Sequence, residues 1–177
     1  MSYIDSLGDI PNSVSLVFIF RNTDNVLSII DILNRKKVNA TFFLDREIFE
    51  KSVDIVKLIH ENGNQIELLS ESYSVYEVNK YNSLMKIISK NKLSFCINNS
   101  KDDNILKSCE SSKLYTINPR LKINNNLYLS IKRNLQSGDI IELDNSNNIV
   151  KELSSTINYI IQKGKKIILL KNIIDYK

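Results

Sequence analysis

The chain has 177 residues and a mass of 20.4 kDa, one domain's worth of polymer and enough to enclose a core without disulfide or metal staples. Hydrophobic residues at 42% and charged residues at 25% sit near globular averages, which excludes wholesale disorder and fibrous repeats. A net charge of +4 with no basic stripe argues against nucleic acid as the partner, and the longest apolar run, residues 16–20, falls far short of the roughly 20 residues of a membrane span.

Residues 1–12 carry neither a basic nor an apolar leader segment, so they are read as an N-terminal extension rather than a signal peptide, and the compartment stays open. Residues 13–177 are read as a single domain. Along it, runs rich in Val, Ile, Phe and Leu predict strands at 13–20, 38–44, 65–69, 92–97, 114–118, 139–143 and 166–170, most of them buried on both faces. Val26, Ile29, Ile30 and Leu33 repeat at helical spacing after the first strand, and Ile149, Leu153, Ile157 and Ile160 mark one face of a longer helix near the end. Asn62-Gly63 and Gln162-Lys163-Gly164 are helix stops, because glycine tolerates the left-handed residue that ends a helix. Asn124 to Asn126 is a loop. Strands and helices that alternate with short joints imply parallel strands joined by right-handed crossovers. Periodicity alone leaves a barrel and an open doubly wound sheet both standing.

The chain has one histidine, His60, and no tryptophan, which excludes any mechanism needing two histidines. His60 falls in the last turn of a helix, where an imidazole meets the C-terminal dipole favourably, and it is read as structural. Cys96 and Cys109 have no zinc-knuckle spacing and are read as small buried hydrophobes, with a single disulfide as the alternative. The sequons at Asn39 and Asn98 carry no weight, and no nucleophile elbow, phosphate loop or H-E-x-x-H is present.

Several segments, in order, resemble a known family. Val14-Ser15-Leu16-Val17-Phe18 before a helix, Lys37-Val38-Asn39-Ala40-Thr41-Phe42-Phe43-Leu44, the IVKLIHENGNQI run over 55–66, Gly138-Asp139-Ile140-Ile141, and Lys163-Gly164-Lys165-Lys166-Ile167-Ile168-Leu169-Leu170 are similar to the strand motifs of the polysaccharide deacetylases. This is the NodB-homology domain of carbohydrate esterases. The second segment, close to that family's "VKATFFV", is the most specific. The resemblance spans roughly residues 13–174 and implies an α/β fold, a distorted (β/α) barrel of about seven parallel strands with outer helices and its site at the C-terminal strand ends.

That family's reaction needs a divalent metal held by one Asp and two His, a second Asp as base and a His as acid. By the resemblance, the paired Asp fall on Ile19 and Phe20, the metal histidines on Leu69 and Tyr73, and the arginine segment near Cys96-Ile97-Asn98-Asn99-Ser100. The later aspartate falls near Asn118 and the acid histidine on Asp144. Every catalytic motif is replaced while the core motifs persist, so no catalytic residue, metal or cofactor is assigned. The apolar replacements either pack the barrel mouth or floor a ligand site. Arg21, Asp24, Glu67 and Glu71, with Tyr73, Asn118 and Asp144, are the polar groups expected near the old site. A hard-cation site built from Glu67, Glu71 and Asp144 is conceivable, but no spacing singles it out. The leading expectation is a catalytically inactive member acting as a binding or structural module, with a glycan or protein partner in a cell-envelope context that only the resemblance supplies. The alternatives are a divergent hydrolase with a relocated carboxylate site and a purely structural subunit.

Overall fold

The computed structural model describes residues 3–176. Its first strand, β1 (Ser13–Phe20), is buried along its whole length, as an unbroken apolar run demands of a strand covered on both faces. Helix α1 (Val26–Lys36) follows and buries Val26, Ile29, Ile30 and Leu33, the four residues of the predicted stripe. Next come β2 (Thr41–Asp45), α2 (Arg46–Lys51), α3 (Val53–Glu61) and β3 (Gln65–Leu69). Gly63 at φ 83° ends α3, with Gly63 N donating to His60 O and Asn64 N to Ile59 O, the carbonyl-satisfying pattern of a glycine stop.

The second half runs α4 (Val75–Ile88), β4 (Phe95–Ile97), α5 (Asp103–Ser111), β5 (Tyr115–Ile117), β6 (Leu121–Ile123), α6 (Leu127–Asn134), β7 (Ile140–Asp144), α7 (Asn147–Gln162), β8 (Lys166–Ile167) and α8 (Asn172–Tyr176). The seven predicted strands are all present, with β2 at 41–45 rather than 38–44, β4 starting at Phe95 rather than 92, β5 trimmed to 115–117 from 114–118, β7 shifted to 140–144 from 139–143, and β8 ending at Ile167 rather than 170. Strand β6 is an addition: its run Leu-Lys-Ile is too short and too polar to stand out by pattern.

Every ladder between these strands is parallel. The hydrogen-bonded order is β3-β2-β1-β7-β6, with β8 beside the start of β1 and β4-β5 as a separate pair. Placed in a ring, this is a (β/α) barrel whose ladder opens between β3 and β4 and between β5 and β6. Side-chain parity divides the core in two. Leu16, Phe18, Phe20, Phe42, Leu44, Ile141 and Leu143 pack with the helices, whereas Val17, Ile19, Phe43, Phe95, Ile97, Ile117 and Ile140 fill the lumen. The ends of the chain close the lumen at the strand N-termini. Leu7 N donates to Gly138 O, Leu170 N to Thr41 Oγ1, and Leu7, Leu170 and Ile173 join the lumen cluster. Residues 4–7 therefore lie against the barrel wall, running from Leu7 beside the start of β7 to Ile4, which bridges to Ile117 at the end of β5.

Phe42 and Phe43 face opposite sides of β2, and both are fully buried. Phe42 stacks on Phe20 with ring centroids 5.0 Å apart, and Phe43 belongs to the lumen. Truncating either to alanine is expected to cost about 3–5 kcal/mol, read as a fall in the urea midpoint. An unmoved midpoint for either variant would contradict this packing.

Candidate ligand cleft

At the C-terminal strand ends the barrel mouth holds a cleft of about 550 Å³, lined among others by Arg21, Asp45, Arg46, Leu69, Glu71 and Asn99. Two of these are placed by helix starts. Asp45 accepts from Glu47 N at 3.0 Å as the cap of α2, which fixes Arg46 at the first helical position. Ser70 Oγ accepts from Ser72 N and Tyr73 N at 3.1 and 3.0 Å and donates to Glu77, holding the β3–α4 turn. On the far side the β1–α1 and β7–α7 loops are laced by asparagines. Asn25 Nδ2 donates to Asn145 O and Asn147 Oδ1, each at 2.9 Å, and Asn145 Nδ2 donates to Asn22 Oδ1 at 2.9 Å and Asp24 O at 2.8 Å.

Of the polar groups expected here, Arg21 and Glu71 line the cleft. Asp24 stands exposed in the laced loop. Asp144 accepts from Ser146 N at 3.0 Å at the start of α7, and Asn118 Nδ2 donates to Asp5 at 3.0 Å. Glu67 does not reach the cleft. It lies buried between β3 and β4, where Oε1 accepts from Ser94 N at 2.7 Å and Phe95 N at 2.8 Å, and Oε2 accepts from Gln65 Nε2 at 2.9 Å. Its carboxylate thus supplies the acceptors that the open ladder lacks. Burial pushes this carboxyl up to about 7 against the pull of those three hydrogen bonds. It borders instead a smaller cavity of about 250 Å³ that also reaches His60 and Lys171, beside the start of β3. Glu67, Glu71 and Asp144 therefore do not form the carboxylate site that their positions in sequence allowed.

The positions that the resemblance assigns to the family's catalytic residues divide the same way. Leu69 lines the cleft and Ile19 is lumen packing, but Phe20 and Tyr73 belong to the helix-side core. Tyr73, at φ 50°, donates its hydroxyl to Leu68 O at 2.9 Å and accepts from Ile97 N at 3.2 Å, a second tie across the β3–β4 opening. Cys96 is bonded to Cys109. The reading of both cysteines as free hydrophobes is corrected here: β4 and α5 bring the two together, and closing a loop of this length contributes about 3 kcal/mol. A divalent metal finds no donor set in these residues. Isoleucine, phenylalanine and leucine offer no lone pair, and among the described residues no three His, Cys, Asp or Glu side chains come together. The residues do not fit that group.

Sequence reasoning missed Asp45, Arg46 and Glu77 as cleft residues, whereas Asn99, in the segment that the resemblance set at the site, does line it; it also missed Glu142. On β7 the odd-numbered neighbours Ile141 and Leu143 face the helices, so Glu142 faces the lumen, paired in register with Val17 of β1 and Lys122 of β6. Desolvation raises its carboxyl above the ordinary range, opposed by the charges of Lys122 and Arg21. The alternation Ile-Ile-Glu-Leu-Asp carried that signal once the strand was placed.

Comparison with solved structures gives the same barrel. BA3943 from Bacillus anthracis, described as a CE4 family pseudoenzyme, superposes with a TM-score of 0.79 at 17% identity over 92% of this chain and 65% of that one. A BA3943 mutant described as having restored enzymatic activity matches at the same TM-score and identity, over 67% of its length. The Bc1960 peptidoglycan N-acetylglucosamine deacetylase superposes at 0.83, with 19% identity over 97% of this chain and 92% of that one. No curated protein matches the chain. The polysaccharide deacetylase model matches residues 9–130, more than half of the sequence and including β1 to β3 with their motif positions, and the chain belongs to the polysaccharide deacetylase family.

Proposed function

We propose that this chain is a non-catalytic member of its family that holds a glycan in the mouth cleft without hydrolysing it, in a cell-envelope setting. The observation that carries the reading is the fate of Phe20 and Tyr73: both side chains are built into the helix-side core, so two of the positions that would supply metal ligands now serve packing. Amide hydrolysis needs a polarised carbonyl, an activated water and an acid for the leaving amine, and the cleft offers none of these as a set. Its charged rim of Arg21, Arg46, Asp45 and Glu71 is suited to hydrogen-bonding a polyhydroxylated chain. The glycan class is supported by the family and by the peptidoglycan N-acetylglucosamine deacetylase among the similar folds. The Cys96–Cys109 bond supports an oxidising compartment.

The test pairs two measurements on N-acetylglucosamine oligomers. Titration calorimetry is expected to show binding, and an acetate-release assay with added divalent metal is expected to stay at the protein-free baseline. Acetate release that scales with protein, survives repurification and disappears on Glu71→Ala or Asp144→Ala would make the chain a hydrolase with a relocated site.

A further inference from the structure

No stretch of the sequence is basic, yet the fold gathers lysines at one end of the barrel. Because the strands are parallel, the outer helices bring their last turns back to the strand N-termini, at the base opposite the mouth. Lys37, Lys90 and Lys113 stand there just past the ends of α1, α4 and α5, with Lys92 before β4, Lys166 on β8 and Lys171 after it, all exposed. Among the described residues none of these closes an ion pair. Asp139 at this end is taken by Arg120, which leaves Asp9, Glu61, Glu110 and Asp175 to oppose them. The mouth is the reverse, with Asp24, Asp45, Glu71, Asp102, Asp103 and Asp144 at the C-terminal strand ends.

Two of the lysines occupy places where glycine is cheaper. Helices α1, α3, α5 and α7 end on one pattern, in which a left-handed residue donates to the carbonyl three residues back and its successor to the carbonyl five residues back. That residue is Gly63 at φ 83° after α3 and Gly164 at φ 77° after α7, but Lys37 at φ 56° after α1 and Lys113 at φ 60° after α5. A side chain in this conformation costs stability that glycine avoids. The helix dipole does not account for Lys37, because Arg35 and Lys36 already meet it in the last turn of α1.

We propose that the base is a docking face for an anionic lipid bilayer, which holds the chain at a membrane surface with its mouth turned outward. Unpaired lysines spread over one end of the molecule complement lipid phosphates at several points at once. The same end exposes apolar side chains. Ile87 in the last turn of α4 is 82% exposed, and Ile161 in the last turn of α7 and Tyr115 at the start of β5 are exposed as well. Apolar groups set among cations match the boundary between headgroups and acyl chains, whereas a soluble polyanion offers them no apolar layer to enter, and this favours a bilayer over an anionic polymer. Leu27, Tyr76 and Leu129 are exposed nearer the mouth, where the carboxylates are repelled by the same lipids. The proposal is independent of what the mouth holds.

Flotation with phosphatidylcholine vesicles, with and without phosphatidylglycerol, tests this on the wild type, the double variant Lys37→Gly with Lys113→Gly, Ile87→Ser and Lys101→Gly, with urea midpoints recorded for each. The wild type is expected to float with the phosphatidylglycerol vesicles alone and to be released by salt. The double variant is expected to lose about fivefold in vesicle affinity per lysine while its urea midpoint rises, a combination that a structural role for these lysines does not produce. Ile87→Ser is expected to lose affinity at an unchanged midpoint. Lys101 is the control, since it is also left-handed, at φ 54°, but lies in the β4–α5 loop at the mouth; Lys101→Gly is expected to float as the wild type does. A wild type that does not float, a double variant that floats undiminished, or an equal loss in Lys101→Gly would overturn the proposal. Undiminished flotation of Ile87→Ser would give the face to an anionic polymer and overturn it too, and that variant stays informative if the glycine variant fails to fold.

Discussion

Replacing Glu67 with alanine is expected to cost the fold about 2–6 kcal/mol at pH 5, because Ser94 N and Phe95 N would each lose their only acceptor at about 1–3 kcal/mol apiece. Against a total stability of about 5–15 kcal/mol, the loss is large enough to read directly in a urea titration. The same carboxyl sets a pH dependence. Its value rises from 4.5 unfolded to about 7 folded, and burial is the main cause. The folded protein therefore holds this proton more tightly than the unfolded chain. The stabilisation is complete below pH 4.5 and is lost as pH rises through 7, and the shift corresponds to about 3 kcal/mol. Glu67→Gln keeps an oxygen acceptor and removes the titration. The wild type should accordingly weaken relative to Glu67→Gln between pH 5 and pH 8. A difference between the two proteins that does not move with pH would show that the carboxyl is ionised across the range and that its three donors outweigh burial.

Glu67 also shows where reading the sequence reaches its limit. Residues 13–20 and 65–69 are delimited correctly by pattern alone, since strands covered on both faces announce themselves as unbroken apolar runs. The helical stripes of α1 and α7 are equally legible, and their predicted residues are all buried. Strand β6, Leu-Lys-Ile, carries too little apolar pattern to stand out, and the longer apolar runs at 92–97 and 114–118 hide how short β4 and β5 are. Without β6 there is no way to place Lys122 beside Glu142. Family-like motifs point to the C-terminal strand ends, but they do not say which way each side chain turns. Glu67 sits on β3, whose end opens at the cleft, yet its side chain serves the gap between strands. The pairing of Cys96 with Cys109 was equally hidden, because it depends on how α5 returns over β4. The cleft charges at Asp45 and Arg46 look in sequence like an ordinary helix start, which they also are.

Rebuilding the family's metal site in this chain is expected to fail through loss of the fold. The variant would carry Ile19→Asp, Phe20→Asp, Leu69→His and Tyr73→His. Leu69 is half-buried at the cleft wall, and a histidine there should be tolerated. Phe20 is the obstacle. Its ring stacks on Phe42 at 5.0 Å and lies 6.1 Å from Phe18, so its removal alone forfeits about 3–5 kcal/mol, and an aspartate in its place must stay ionised in an apolar layer or take up a proton. Tyr73→His adds the loss of the hydroxyl that bonds Leu68 O and Ile97 N across the β3–β4 opening. These two changes together reach the lower part of a typical domain's stability of about 5–15 kcal/mol, before the cost of the buried aspartates is added and before any metal is bound. A BA3943 mutant is described as having restored enzymatic activity. In this chain two of the positions that the resemblance assigns to the metal ligands, Phe20 and Tyr73, are given over to core packing. Circular dichroism and elemental analysis of the fourfold variant should find an unfolded or aggregated chain without stoichiometric zinc, with Leu69→His as the folded control. A cooperative thermal transition together with one retained zinc per chain would mean that Phe20 and Tyr73 can swing into the mouth, and the case for a non-catalytic role would lose its main support.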